Sequence, residues 1–297
     1  MQIGAVYPQT ELDTDPETVS TFVTTVEDRG YDFLLCYDHV VGANPDDPTF
    51  DGPFDNDDAL HEPLTLFAHL AAVTDSIRLV TGILILPQRQ TALAAKQTAT
   101  VDVLCDGRLR LGVGVGWNER EYAALGVDFG DRGPRIEEQL EVLRRLWTEE
   151  AVWFDGRWHH LPNVGINPRP VQRPIPVWMG GEAPPVLERV GRLADGWIPP
   201  GRFATLEAPI EEAAERVESI RAHARDAGRD PDELRIVARV EPTEDATAWV
   251  ERIGEWRALG ATHVAIDAVG TDRTVEEHLD LVDRFARRME AAGIREG

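Results

Sequence analysis

An alternation of strand-like and helix-like segments repeats eight times along this chain and limits its fold more than any other feature. The strand candidates are residues 2–7, 33–37, 77–83, 109–115, 175–179, 196–199, 234–240 and 263–267. Each is short, apolar and rich in β-branched residues, as strands of a parallel sheet covered on both faces should be. Helical spacing follows each one. Residues 16–29 repeat apolar positions at Val19, Phe22, Val23 and Val26 and stop at Gly30. Residues 136–147 carry Leu140, Val142, Leu143 and Leu146, and residues 213–227 and 275–292 show similar spacing. Eight β-then-α units in 297 residues predict an α/β protein. A single (β/α)8 TIM barrel over 1–297 is favoured, with an open doubly wound sheet as the alternative.

Two connections exceed ordinary loop length. Residues 40–61 follow the second strand on the C-terminal face, where barrel active sites form. They contain Asp46-Asp47-Pro48 and Asp51-Gly52-Pro53. A lid over a site and a solvated acidic loop both fit this composition. Residues 153–174 contain Phe154-Asp155-Gly156-Arg157-Trp158, a tight hairpin turn. His159-His160 follows without a third ligand at metal spacing, so an exposed hairpin is expected and no metal site.

Charge narrows the partners. Asp and Glu number 53 against 30 Lys and Arg, a net charge of −23, and Lys96 is the only lysine. Such a chain repels nucleic acid and anionic membranes, which excludes both. The acid is spread along the chain, which suits a halophilic protein in a salt-rich cytosol; GC-rich coding would also replace lysine by arginine. No run approaches the roughly 18–20 apolar residues of a membrane span. The first residues run straight into a strand without a signal-peptide pattern, so a cytoplasmic location is expected. Cys36 and Cys105 sit in apolar runs and read as small buried residues.

Three segments carry chemistry. In Arg110-Leu111-Gly112-Val113-Gly114-Val115-Gly116-Trp117, strand alternation puts Gly112, Gly114 and Gly116 on one face and the apolar residues on the other. With Leu111, Val113 and Val115 against the outer helices, the glycine face empties part of the barrel interior for a large flat ligand. Close strand packing is the alternative. The spacing does not make a dinucleotide fingerprint. In Trp178-Met179-Gly180-Gly181-Glu182-Ala183-Pro184-Pro185 a strand ends in a glycine pair before a helix start, a place where backbone N–H groups attract phosphate. The later loops carry carboxylates at Glu241, Glu244, Asp245 and Asp272, which disfavours a phosphate there. Finally, Asp38-His39 ends the second strand on the catalytic rim. Histidine can give or take a proton near neutral pH. Adjacent side chains of a strand point apart, so Asp38 need not orient the imidazole.

The ordered set Glu27-x-x-Gly30-Tyr31-Asp32, Asp38-His39, Arg78-Leu79-x-Thr81-Gly82, Ala95-Lys96-Gln97, Gly107-Arg108-Leu109, Gly112–Gly116, Gly180-Gly181 and Asp195-Gly196-Trp197 resembles the luciferase-like monooxygenase family, over residues 1 to about 200. Within it the chain is most similar to the branch using the deazaflavin coenzyme F420. The resemblance implies a reduced cofactor in the barrel mouth. His39 would be proton donor or acceptor beside Asp38, and Gly82 and Ile83 would back the ring through a cis peptide. Val115 and Gly116 would contact the cofactor, with its phosphate near Gly180 and Gly181. Trp117 stands where deazaflavin-dependent sugar-phosphate dehydrogenases carry a catalytic glutamate, and those enzymes' phosphate-binding lysines are missing. Sugar-phosphate oxidation is therefore disfavoured, and Trp117 is expected to form an apolar wall. The loop after the seventh strand is too short for bacterial luciferase. The resemblance thus implies hydride transfer with a small carbonyl, alcohol or activated C=C substrate. FMN-dependent monooxygenation, with flavin supplied by a separate reductase, is the alternative; a binding protein without catalysis is a third. Arg202 is the candidate for a cationic groove that would receive the polyglutamate tail of F420. A homodimer is expected by the same resemblance.

Overall fold

The computed structural model describes residues 1–50 and 52–295. The chain starts with β1 (Gln2–Val6), α1 (Pro16–Asp28) and β2 (Phe33–Cys36). Helix α1 begins at Pro16 because the Asp15 carboxylate accepts hydrogen bonds from the Glu17 and Thr18 N–H groups, and proline brings the helical φ to the first turn. Then follow α2 (Pro63–Val73), β3 (Arg78–Thr81), the two-residue β4 (Leu84–Ile85), α3 (Thr91–Leu104) and β5 (Leu109–Gly114). After α4 (Glu119–Ala124) and α5 (Arg132–Thr148), β6 (Val152–Asp155) and β7 (His160–Val164) form an excursion. The chain resumes with β8 (Val177–Gly180), α6 (Pro184–Leu193), β9 (Gly196–Ile198) and α7 (Ile210–Asp226). It ends with β10 (Arg235–Val240), α8 (Ala246–Ala258), β11 (His263–Ile266) and α9 (Val275–Ala291).

Eight strands, β1, β2, β3, β5, β8, β9, β10 and β11, pair in parallel as a ring. It closes where β3 meets β5 at Leu79–Leu109 and Val80–Arg110. This is the (β/α)8 barrel that the eightfold alternation predicts. Two expected strands are altered. The third is interrupted at Gly82–Ile83, whose peptide bond is cis, and resumes as β4 beside Val113 and Gly114. The fifth begins at Val177 rather than Ile175, because Pro176 has no N–H for the ladder.

Alternation sorts the side chains into two layers. Phe33 and Leu35 point inward and join Val6, Val80, Trp178, Ile198, Val237 and Ala265 as the barrel's inner plug. Leu34, Cys36, Leu111 and Val113 point outward against the helices. Each such fully buried large side chain contributes about 1.5–3 kcal/mol. Cys36 and Cys105 are buried free thiols.

The second long connection is the expected hairpin, β6 pairing antiparallel with β7. One expectation fails here. His160 is exposed, but the His159 side chain is only 11% exposed, because its ring turns inward onto Glu138 (2.7 Å) and Thr91 (2.5 Å). The first connection folds back over the barrel mouth: Phe50 stacks on Trp117, and Pro53 and Phe54 face the cavity below. Asp51 of this loop lies outside the described residues. Among the described residues no helix is long and apolar enough to cross a membrane, and no group of three or more His, Cys, Asp or Glu could hold a metal.

Candidate active site

A cavity of about 550 Å³ opens at the C-terminal end of the barrel, in the range of small-molecule sites. Its wall brings together Asp38, His39, Gly82, Ile83, Gly114, Val115, Gly116, Trp117, Gly180 and Gly181. Gly112 is not among them. It lies below the floor, where a Cβ would overlap the Thr81 carbonyl oxygen and approach Ile198. Its missing side chain serves close strand packing, which corrects the expectation that it touches a cofactor.

The floor is built around Ile83. A Cβ on Gly114 would lie 2.5 Å from Ile83 Cδ1, and one on Gly180 would lie 2.8 Å from Ile83 Cγ2. The isoleucine is therefore seated in a notch between two glycines, and its side chain forms a platform across the mouth. Space for a flat ligand arises above Ile83 rather than in the glycine gaps themselves.

The anion site at Gly180–Gly181 also differs in detail from its prediction. Pro184 and Pro185 open α6 and carry no N–H, and the Ala183 cap has no side-chain bond. The Val186 N–H is spent on the Ala183 carbonyl at 2.7 Å. The N–H groups of Gly181, Glu182 and Ala183 have no acceptor among the described residues, and all three residues line the cavity. Three consecutive amides without acceptors, with Gly181 at φ +121°, leave the donors for an anion in this turn and not in the first turn of the helix.

His39 and Asp38 separate as alternation requires. The Asp38 side chain is fully buried. Its carboxylate accepts from the Ile85 N–H at 2.9 Å and from Arg89 at 2.8 Å. Burial raises its pKa above the ordinary value, against the opposing pull of Arg89 and the Ile85 N–H. Asp38 is thus an anchor for the strand end and makes no bond to His39, in line with the expectation that it need not orient the imidazole.

The partner of His39 is Glu121, which sequence reasoning missed. Its Oε2 lies 3.6 Å from His39 Nδ1, and its side chain is fully buried. The same carboxylate accepts from the Val40 N–H and from Gln88 Nε2 at 3.2 Å. Burial opposes ionisation of Glu121, yet the nearby His39 and the bonds from Val40 and Gln88 outweigh it and hold the carboxyl below its ordinary value. His39 Nε2 has no partner among the described residues. Around the imidazole stand Phe54 (ring centroids 5.2 Å apart) and Trp117 (6.0 Å). Trp117 is 47% exposed and forms the outer wall. Trp178, in contrast, sits beneath the floor against His263.

Arg239 is a second residue the sequence did not reveal. It crosses the cavity wall, donating to Tyr37 Oη (2.7 Å), Asp267 (3.2 Å) and the Pro199 carbonyl (2.7 Å), while the Tyr37 hydroxyl donates to Asp267 at 2.6 Å. Arg202 does not stand as an open cation. Glu182 holds it at 2.5 and 2.7 Å, and Glu212 approaches at 2.9 Å.

A platform for a planar ring, a cradle of free amides and a histidine with one open nitrogen fit a flavin or deazaflavin phosphate. Comparison with known proteins points the same way. The model for luciferase-like monooxygenases matches residues 2–291. An uncharacterized protein of Mycobacterium tuberculosis is 32% identical over 229 residues, 77% of this chain and 76% of that one. A Pseudomonas putida protein named FMNH2-dependent dimethylsulfone monooxygenase is 31% identical over 56% of this chain and 45% of its own length. The crystallised F420-dependent secondary alcohol dehydrogenase superposes with a TM-score of 0.79 over 99% of both chains at 16% identity, a likeness of fold.

Proposed function

Because the chain belongs to the luciferase-like monooxygenase family, we propose that it is a coenzyme F420-dependent oxidoreductase acting on a small carbonyl, alcohol or activated C=C compound. The observation that carries this reading is His39: its Nδ1 faces the buried Glu121, its Nε2 has no partner among the described residues, and it shares the cavity wall with Ile83. The reduced deazaflavin, when bound, supplies a hydride. His39 Nε2 gives the proton that the substrate oxygen or carbon must gain in reduction, and takes it back in oxidation. Glu121 fixes the imidazole so that the open nitrogen faces the cavity, and Asp38 is a positioning residue through Ile85. Phe54 and Trp117 screen the imidazole from solvent. The free amides of Gly181, Glu182 and Ala183 would hold the phosphate, and Val115 and Gly116 would flank the ring beside Gly82 and Ile83.

One observation favours a second reading, FMN-dependent monooxygenation with flavin from a separate reductase. The pairing of Arg202 with Glu182 and Glu212 leaves it ill-placed to receive a polyglutamate tail. The 31% identity to the Pseudomonas monooxygenase supports the same reading. Titration of the protein in molar salt with F420 and separately with FMN, followed by tryptophan fluorescence from Trp117, tests the choice. Tighter binding of F420 and oxygen-independent turnover are expected. Preference for FMN would replace the first reading by the second, and binding of neither would refute both.

A further inference from the structure

The barrel has a second cavity at its other end, where the strands begin. Arg78 opens β3, Arg235 opens β10, and Arg110 is the second residue of β5. With Arg257 of α8 they line a space of about 840 Å³. In a chain of net charge −23, four guanidinium groups around one cavity require an explanation. Arg110 is satisfied by Gln172 at 2.7 Å and the Leu109 carbonyl at 2.8 Å. Arg78, Arg235 and Arg257 make no side-chain hydrogen bond or ion pair among the described residues. Two carboxylates share the wall, Asp195 and Glu233. Asp195 accepts from the Val177 N–H at 2.8 Å, and neither pairs with an arginine of the cavity among the described residues.

His263, 8% exposed, lines the same cavity. Burial, with the charges of Arg78, Arg235 and Arg110, pushes its imidazole down to about 3. It is neutral at physiological pH, so the positive charge there is carried by the arginines and not by the imidazole. Its ring meets Phe33 (centroids 5.5 Å apart) and Trp178 (5.0 Å), and these rings belong to the plug that separates this cavity from the barrel mouth.

We propose that this basal cavity binds a small phosphoryl-bearing anion, held by the guanidinium groups of Arg78 and Arg235 with Arg110 and Arg257 beside them. Guanidinium forks match the oxygens of a phosphoryl group in a bidentate way. Asp195 and Glu233 are placed to accept hydrogen bonds from hydroxyl groups on an organic portion. The volume, larger than one phosphate needs, accommodates such a portion. The site is separated by the inner plug from the cavity at the opposite mouth, where the cofactor is proposed to bind.

Calorimetric titration of the intact protein at low ionic strength tests this, with inorganic phosphate and glycerol 3-phosphate as probes and sodium chloride at matched ionic strength as the blank. Saturable binding of one anion per chain is expected. Tighter binding of the ester identifies a phosphorylated metabolite as the occupant, and equal binding identifies the free ion; both support the site. Arg78→Gln with Arg235→Gln should weaken binding at least about tenfold. Arg273→Gln, on the loop after β11 at the other end of the barrel, should bind as the parent does. Arg235→Gln alone, at an exposed position, provides the test if the double variant does not fold. Absence of saturable binding, heats reproduced by chloride, or an Arg235→Gln variant with parental affinity would overturn the proposal.

Discussion

Replacing Glu121 by glutamine changes one atom and one charge, so its effect follows from the contacts of a single buried group. The carboxylate accepts from the Val40 N–H and Gln88 Nε2 and faces His39 Nδ1. Hydrogen bonds to charged groups contribute about 1.5–3 kcal/mol and neutral ones about 0.5–1.5, so each weakens by about 1 kcal/mol. The new amide nitrogen must also face one of these donors, which leaves a buried donor unmatched at a cost of about 1–3 kcal/mol. Together these predict a loss on the order of 3 kcal/mol in urea unfolding of Glu121→Gln. The loss has a pH signature. Because the folded-state pKa of Glu121 lies below its ordinary value of 4.5, its contribution is complete above that value and fades as the pH falls through the folded pKa. The difference between parent and variant should therefore shrink only in acid. In turnover, kcat should fall on the order of tenfold, as when a group that orients a reactive imidazole is removed. A stability change within about 0.5 kcal/mol, or an unchanged kcat, would refute the assignment of Glu121 as the partner that fixes His39.

Other consequences are as direct. His39→Ala should lower turnover about a hundredfold or more while cofactor binding, read by fluorescence, persists. Gly114→Val drives a side chain into Ile83; it should abolish cofactor binding and destabilise the fold by about 1–3 kcal/mol, measurable by titration and thermal melting. Arg89→Met strands the buried Asp38 carboxylate and should cost about 3–5 kcal/mol in denaturant unfolding. Raising KCl from about 0.1 to about 2 M should raise the melting temperature by screening the surplus of acid.

The barrel was legible because parallel strands covered on both faces must be apolar, so eight such runs mark themselves without reference to one another. The hairpin at 152–164 was legible from its turn residues. What sequence could not show were contacts made across the fold. Glu121 follows Asn118 by three residues, the spacing of a helix-capping pair, and nothing local says that its side chain turns inward to meet His39. Arg89 and Arg239 carry no local signal of their role, which arises only when the barrel brings them to their acidic partners. Gly112 and Gly114 look equivalent in a strand, yet one faces a neighbouring carbonyl and the other the side chain that forms the floor.

Arg89 has a further consequence. One of its nitrogens holds Asp38 at 2.8 Å and another holds Glu62 at 2.7 Å, so a single guanidinium joins the two ends of the connection that covers the cavity. The neck of that connection is clamped by groups that do not touch its tip. Lengthening a flexible loop between fixed ends costs only about 0.6 kcal/mol per doubling. Segments of different length and composition could thus be exchanged at the tip, between residues 42 and 52, while Val41 on Glu121 and Phe54 on the imidazole keep their places, so substrate preference can change there while the proton-transfer geometry stays the same.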